Sequence, residues 1–103
     1  MRMMIKFRFP TESGNELLKS GKIEKTLPGI MEDLKPEAAY FYSDHGYRAG
    51  LYIVEMTEGS QVLEFGERLW FGLGGEVEMV PVMTPEDIQK GLPSVPEIAK
   101  KYG

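Results

Sequence analysis

The chain has 103 residues, of which 27% are charged, and a formal net charge of −4 at pH 7. That length fits one domain over residues 1–103, and the acidic balance argues against nucleic acid as a partner, because phosphate binding requires a dense cationic surface. One histidine and no cysteine exclude disulfides and leave too few ligands for a zinc or iron site. We therefore expect neither a metal nor another cofactor.

The sequence also argues against a membrane segment. It contains no run approaching the roughly 18 apolar residues of a transmembrane helix. The N-terminal stretch MRMMIKFRFP carries charges at Arg2, Lys6 and Arg8, so it lacks the apolar core of a signal peptide. We expect a soluble, cytoplasmic protein with no membrane partner.

The first predicted elements are a strand and a helix. Residues 3–9 alternate between apolar and polar faces, which predicts a half-buried strand that Pro10 ends. Residues 11–21 are mostly polar and predict a connecting segment with one helical turn near residues 16–19. A helical stripe follows between residues 22 and 34, in which Pro28 predicts a kink or a late start and Pro36 predicts the end. The residues of the stripe are Ile23, Leu27, Ile30, Met31 and Leu34.

A β-hairpin is predicted next. The runs AAYFYSD and YRAGLYIVEM are rich in aromatic and β-branched residues and are separated by a turn at Asp44, His45 and Gly46. We expect Leu51 and Ile53 of the second run to face the helices.

The last part of the chain predicts a helix, a strand and a short terminal helix. Ser60 is the expected N-cap of a helix that ends at Gly74–Gly75, with an outward pair of Glu64 and Arg68. Residues 76–83 alternate again and predict a fourth strand. Thr84 and Pro85 begin a short helix that closes at Gly91, and one further helical turn is expected after it.

The order β-α-β-β-α-β with a C-terminal helix is the ferredoxin-like pattern, an α+β fold with a four-stranded antiparallel-type sheet and both helices on one face. We expect the strand order 4-1-3-2. The residues expected on the uncovered face are Met4, Lys6, Arg8, Tyr40, Tyr42, Arg48, Tyr52, Glu76, Glu78 and Val80.

That uncovered face allows two interpretations. Two subunits press these faces together and enclose a partly polar cavity, or the face is solvated and its Lys–Glu pairs serve solubility. We favour the homodimer, because so small a domain gains buried surface by dimerising.

The stretches LKPEAAYF, PVMTPED and KKYG resemble those of a small, uncharacterised bacterial family in the ferredoxin-like dimeric α/β-barrel superfamily. The resemblance extends over nearly the whole chain and implies a dimeric barrel with an active cavity between sheet and helices. The superfamily includes cofactor-free monooxygenases, haem-degrading enzymes, lactone isomerases and stress-responsive proteins. Haem degradation would call for an asparagine on the first strand and a histidine on the second helix, and this sequence has neither.

The residues with the strongest potential for ligand binding lie on the uncovered face. Arginine can clamp a carboxylate, and tyrosine rings stack on flat ligands. We therefore expect a small aromatic or carboxylated metabolite as ligand, with a polar dimer interface as the equal alternative. The candidate ligand-binding residues are Lys6, Arg8, Tyr40, Tyr42, Arg48, Tyr52 and Glu78.

No catalytic residue is assigned from the sequence. His45 could act as a general base, since histidine exchanges protons near neutral pH. A lone histidine at a turn tip, however, is more often an exposed side chain without a chemical role. Two further functions stay open beside small-molecule binding. One is a cofactor-independent monooxygenase or isomerase, and the other is a structural or regulatory interaction module.

Overall fold

The computed structural model describes residues 1–103, which form one four-stranded sheet and five α-helices. The strands are β1 (Arg2–Arg8), β2 (Ala38–Asp44), β3 (Tyr47–Glu55) and β4 (Glu76–Pro81). The helices are α1 (Thr11–Ser20), α2 (Ile23–Leu34), α3 (Ser60–Leu73), α4 (Pro85–Gly91) and α5 (Val95–Tyr102). A 3₁₀ turn over Leu92–Ser94 joins the last two helices. None of the helices has the length and apolar character needed to span a bilayer.

The sheet has the order β2-β3-β1-β4 with every neighbouring pair antiparallel. This is the strand order expected from the sequence, so the α+β, ferredoxin-like fold is confirmed. β1 lies in the centre, where Lys6 is paired with Leu51 on one side and Glu78 on the other.

The core lies between one face of the sheet and helices α1–α3. The odd-numbered residues of β1 point into it, and Ile5 is fully buried. Helix α2 contributes Ile30 and Leu34, and α3 contributes Leu69 and Leu73. The alternation predicted for β1 is therefore confirmed.

Helix α1 is longer than the single turn predicted, and its ten residues extend from Thr11 to Ser20. The sequence pattern is weak because Ser13 and Gly14 are poor helix formers. Packing stabilises the helix instead: Gly14 is buried so close to Phe9 that an added Cβ would lie 3.1 Å from its ring. Leu17 packs against the core from the same helix.

Helices α2 and α3 differ from the predictions at their starts and in one ion pair. α2 begins at Ile23, so Pro28 does not delay its start, and it ends as predicted at a left-handed Lys35 before Pro36. α3 has no side-chain cap, so the cap predicted at the first residue of α3 is wrong. Arg68 donates to the Glu64 backbone carbonyl and pairs with the Asp33 carboxylate, not with the Glu64 side chain.

The hairpin turn is one residue shorter than predicted, and this reverses the faces of β3. His45 and Gly46 alone form the turn, with φ of 51° and 88°, as in a type I′ turn. Asp44 is therefore paired with Tyr47. A one-residue shift of register moves every side chain to the opposite face. The prediction for β3 is wrong in consequence: Tyr52 and Val54 lie in the core, whereas Leu51 and Ile53 lie on the uncovered side.

Residues 84–103, which we call the C-terminal arm, extend away from the sheet and its helices. The predicted cap is confirmed, because Thr84 and Asp87 form a reciprocal capping box at the start of α4. The predicted single turn after Ser94 is too short, because α5 has eight residues. Every residue from 85 to 103 is exposed. The radius of gyration is 17.2 Å, against about 13 Å for a compact chain of this length.

Candidate functional site

The sheet face that carries no helix, which we call the open face, changes in character from one end to the other. The strand register sets three successive rows across β2, β3, β1 and β4. The first row is aliphatic, the second is mixed and the third is polar. In order, the rows are Ala38–Ile53–Met4–Val80, Tyr40–Leu51–Lys6–Glu78 and Tyr42–Ala49–Arg8–Glu76.

Arg8 organises the polar end of the open face. Its Nε donates to Glu76 Oε2 at 2.9 Å, and its guanidinium lies 4.8 Å from the centre of the Tyr47 ring. An Arg8 terminal nitrogen is also 3.9 Å from Asp44 Oδ2, across the small side chain of Ala49. The hydrogen bond that Arg8 donates to Glu76, and then the negative charge of Glu76, raise the pKa of Arg8 above the usual range. Arg8 is therefore cationic and already engaged.

Lys6 differs from Arg8 in having no partner. It stands opposite Glu78 in the register, yet its ammonium takes part in none of the chain's ion pairs. Lys6 and Glu78 are therefore cross-strand neighbours that form no ion pair. Lys6 is thus a half-buried cation available to an incoming anion.

The hairpin tip adds a histidine beside a carboxylate. His45 Nδ1 lies 2.8 Å from Asp44 Oδ1, and the His45 side chain is 85% exposed. The Asp44 carboxylate faces the polar end of the open face, since its other oxygen approaches Arg8. The turn therefore reaches the candidate site through Asp44.

These side chains surround a concavity of about 400 Å³ on the open face. Its walls come from β1, β4 and the hairpin, and it is open to solvent on one side. Three acidic and two basic side chains meet there, so the site carries a net negative charge when His45 is neutral. The lining residues are Lys6, Phe7, Arg8, Tyr42, Asp44, His45, Glu76, Val77 and Glu78.

The structure brings together four of the seven residues predicted for ligand binding. Lys6, Arg8, Tyr42 and Glu78 line the concavity. Tyr40 lies on the same face one row away, opposite Leu51, and is 64% exposed.

Arg48 and Tyr52 do not belong to this site, and their predicted placement on the open face is wrong. Both lie on the side of β3 that faces the helices, because the faces of this strand are reversed relative to the prediction. Arg48 lies towards α1, where an added Cβ on Gly14 would come 2.8 Å from its guanidinium. Tyr52 is 0% exposed and packs against the rings of Phe7 and Phe41.

The Tyr52 hydroxyl is buried in the core without a hydrogen-bond partner. Burial raises the pKa of this phenol to about 12, because the charged form loses its hydration. The side chain contributes its ring to an aromatic cluster and offers nothing to the open face.

Among the residues at the site that were not predicted to bind ligand, three contact Arg8: Asp44, Tyr47 and Glu76. A signal for them was present in the sequence. His-Gly suits the two positive φ angles of a type I′ turn, and a two-residue turn pairs Asp44 with Tyr47 on the face of Tyr42. Glu76 follows from the alternation of β4.

No group of three or more His, Cys, Asp or Glu side chains could hold a metal ion in this structure. A comparison with protein-family models finds no match to the chain, and a comparison with curated protein sequences finds none either.

Proposed function

We propose that the chain is a homodimer of the dimeric α/β-barrel type, in which two open faces enclose a site for a small aromatic or carboxylated molecule. The observation that supports this best is the concavity at the polar end of the open face. There the Tyr42 ring, the unpaired Lys6 ammonium and the Arg8–Glu76 ion pair converge.

The aliphatic row supports the dimer. Met4, Ile53 and Val80 lie side by side on a sheet face that no part of the same chain covers. Leu51 extends this apolar strip towards the polar end. A second copy packed on the strip would remove it from water, which is favourable at roughly 25 cal/mol per Å² of apolar area.

The charges favour a ring that bears a single acidic group. Arg8 is occupied by Glu76 and Asp44, so it is not free to clamp a carboxylate with two hydrogen bonds. Lys6 has no such partner, so its ammonium can donate a hydrogen bond to one carboxylate or phenolate oxygen. Glu78 and Glu76 disfavour a ligand with several negative charges. Tyr42 adds an aromatic surface on which a flat ring can stack.

Titration of the ¹⁵N-labelled chain with 4-hydroxybenzoate and with 4-hydroxybenzyl alcohol tests this assignment. We expect both probes to shift amide resonances of the open face, with the acid bound more tightly. Lys6→Gln should weaken binding of the acid by about tenfold, as for loss of a charge-assisted hydrogen bond, and leave the affinity for the alcohol unchanged. Lys25→Gln, an exposed lysine on α2, is the matched control. Shifts absent from the open face with both probes would contradict the proposal.

A second function, proton transfer by a cofactor-independent isomerase or monooxygenase, is favoured by the contact between His45 and Asp44. A carboxylate on Nδ1 orients the ring and leaves Nε2 to exchange a proton. Asparagine suits the left-handed turn position, so His45→Asn should leave the hairpin and ligand binding intact. Because the variant has no imidazole, it should lose turnover of any substrate that the parent chain converts. Unchanged turnover in that variant would exclude His45 as the proton carrier.

A further inference from the structure

The C-terminal arm exposes far more surface than a folded chain of this size normally leaves to solvent. The accessible surface is 7284 Å², about 1,500 Å² above the roughly 5,800 Å² expected for a compact monomer of this mass. A stable protein–protein interface buries about 800 Å² per partner. The excess accessible surface is therefore sufficient for a complete interface. It coincides with the arm, which extends away from the compact part of the chain.

The arm carries an apolar stripe along one side. Its backbone stays right-handed helical at Gly91, Leu92, Ser94 and Val95, where α4, the 3₁₀ turn and α5 meet. The spacing of the stripe alternates between four and three residues, the pattern of a helix that packs against another surface. Each of the large apolar side chains is about half exposed or more. The stripe consists of Ile88, Leu92, Val95, Ala99 and Tyr102, with Ile98 at its edge.

The outer side of α3 is a matching surface. Leu63 and Phe71 are exposed there, Phe71 at 86%, and the half-exposed Trp70 ring lies over Gly66. Glu64, Glu67 and Arg68 lie on the same side of this helix, and the charge of Arg68 is paired with Asp33 of α2. The end of the arm bears the opposite charge, from Lys100 and Lys101. The outer side of α3 is thus apolar with acidic neighbours, and the stripe of the arm is apolar with a basic end. The two surfaces match in both apolar character and charge.

We infer that the arm docks on a second copy of this chain, with its apolar stripe on the outer side of the other copy's α3. The arm does not dock on α3 of its own chain, because every arm residue from 85 onward is exposed in the single chain. Exchange of two arms would add a second contact to the open-face interface. The inference extends the proposed homodimer and rests on it for the pairing of two copies.

Sedimentation equilibrium of the full chain and three variants tests the arm. Leu92→Glu on the stripe and Phe71→Glu on α3 should each raise the dimer dissociation constant by at least about tenfold, as for loss of an apolar anchor. Gln89→Glu adds the same charge to the arm away from the stripe and should leave that constant unchanged. A dimer that both stripe and α3 variants leave intact would overturn the arm inference, as would a monomeric parent chain.

Cross-linking between two differently labelled chains distinguishes exchange from folding back. The native chain has no cysteine, so Ala99→Cys in an isotopically light chain and Glu67→Cys in a heavy chain can be joined by a short bismaleimide. Light–heavy products support exchange, whereas their absence from a confirmed dimer overturns it. Failure of 4-hydroxybenzoate to bind such an arm-linked dimer would contradict the proposed ligand site and leave the arm inference standing.

Discussion

At the scale of single residues, Tyr52 links the core to a pH dependence of stability. Its buried phenol has a folded-state pKa of about 12, above the value of about 10 in an unfolded chain. The stabilising contribution is complete below pH 10 and is lost as the pH rises through 12. Between those pH values the free energy of unfolding should fall by about 2 kcal/mol from this group.

Urea denaturation of the parent chain and Tyr52→Phe at pH 8, 10 and 12 measures that contribution. Other groups titrate in both chains, so the difference between them isolates Tyr52. The variant should be as stable as the parent at pH 8 or more stable by up to about 1 kcal/mol, since it removes an unpaired hydroxyl. A parallel loss of stability in both chains up to pH 12 would show that the phenol is not buried.

Gly50 is the residue at which close packing in the sheet leaves no room for a side chain. An added Cβ would lie 2.5 Å from the Phe7 ring and 3.0 Å from the Phe41 ring. Gly50→Ala should therefore cost about 1–3 kcal/mol, as in other overpacked cores. Gly29→Ala, within α2 and with open space around it, should gain about 0.5–1 kcal/mol. Thermal unfolding compares the two, and equal melting temperatures would contradict the packing described for β3.

At the scale of elements, the hairpin turn decides which residues reach the site. Gly46 has a φ of 88°, so Gly46→Ala should cost roughly 1–2 kcal/mol because an L-residue is strained there. His45→Asn should be neutral or slightly stabilising, since asparagine tolerates a φ of 51°. Chemical denaturation measures both variants. A tolerated Gly46→Ala would argue for a longer turn and a different β3 register.

The element order followed from hydrophobic periodicity, which is strong in residues 3–9 and in the helical stripe between residues 22 and 34. The faces of β3 could not be obtained in that way, because Leu51, Tyr52, Ile53 and Val54 are all suited to burial. Their assignment depended on whether the turn had two or three residues. The same error placed Arg48 and Tyr52 at the site, whereas Lys6 lies on β1, whose alternation is unambiguous.

At the scale of the whole molecule, an amphipathic pattern shows that a face will be buried but not what covers it. The sequence predicted helices after Thr84, yet nothing in the pattern distinguished packing on the same chain from packing on a second one. In the single chain every residue from 85 to 103 is exposed, so no part of this chain covers the arm. The residues of the open face were largely predictable, but the order of its aliphatic, mixed and polar rows depended on the register of all four strands.

The measurement that most directly tests the proposed function is mass spectrometry of the freshly purified chain, first under native and then under denaturing conditions. We expect an ion of twice the chain mass that releases a small aromatic or carboxylated molecule on denaturation. Lys6→Gln should give the same dimer with less of that molecule. An empty dimer would favour an interaction module, and a chain that is monomeric at all concentrations would contradict the homodimer and its enclosed site.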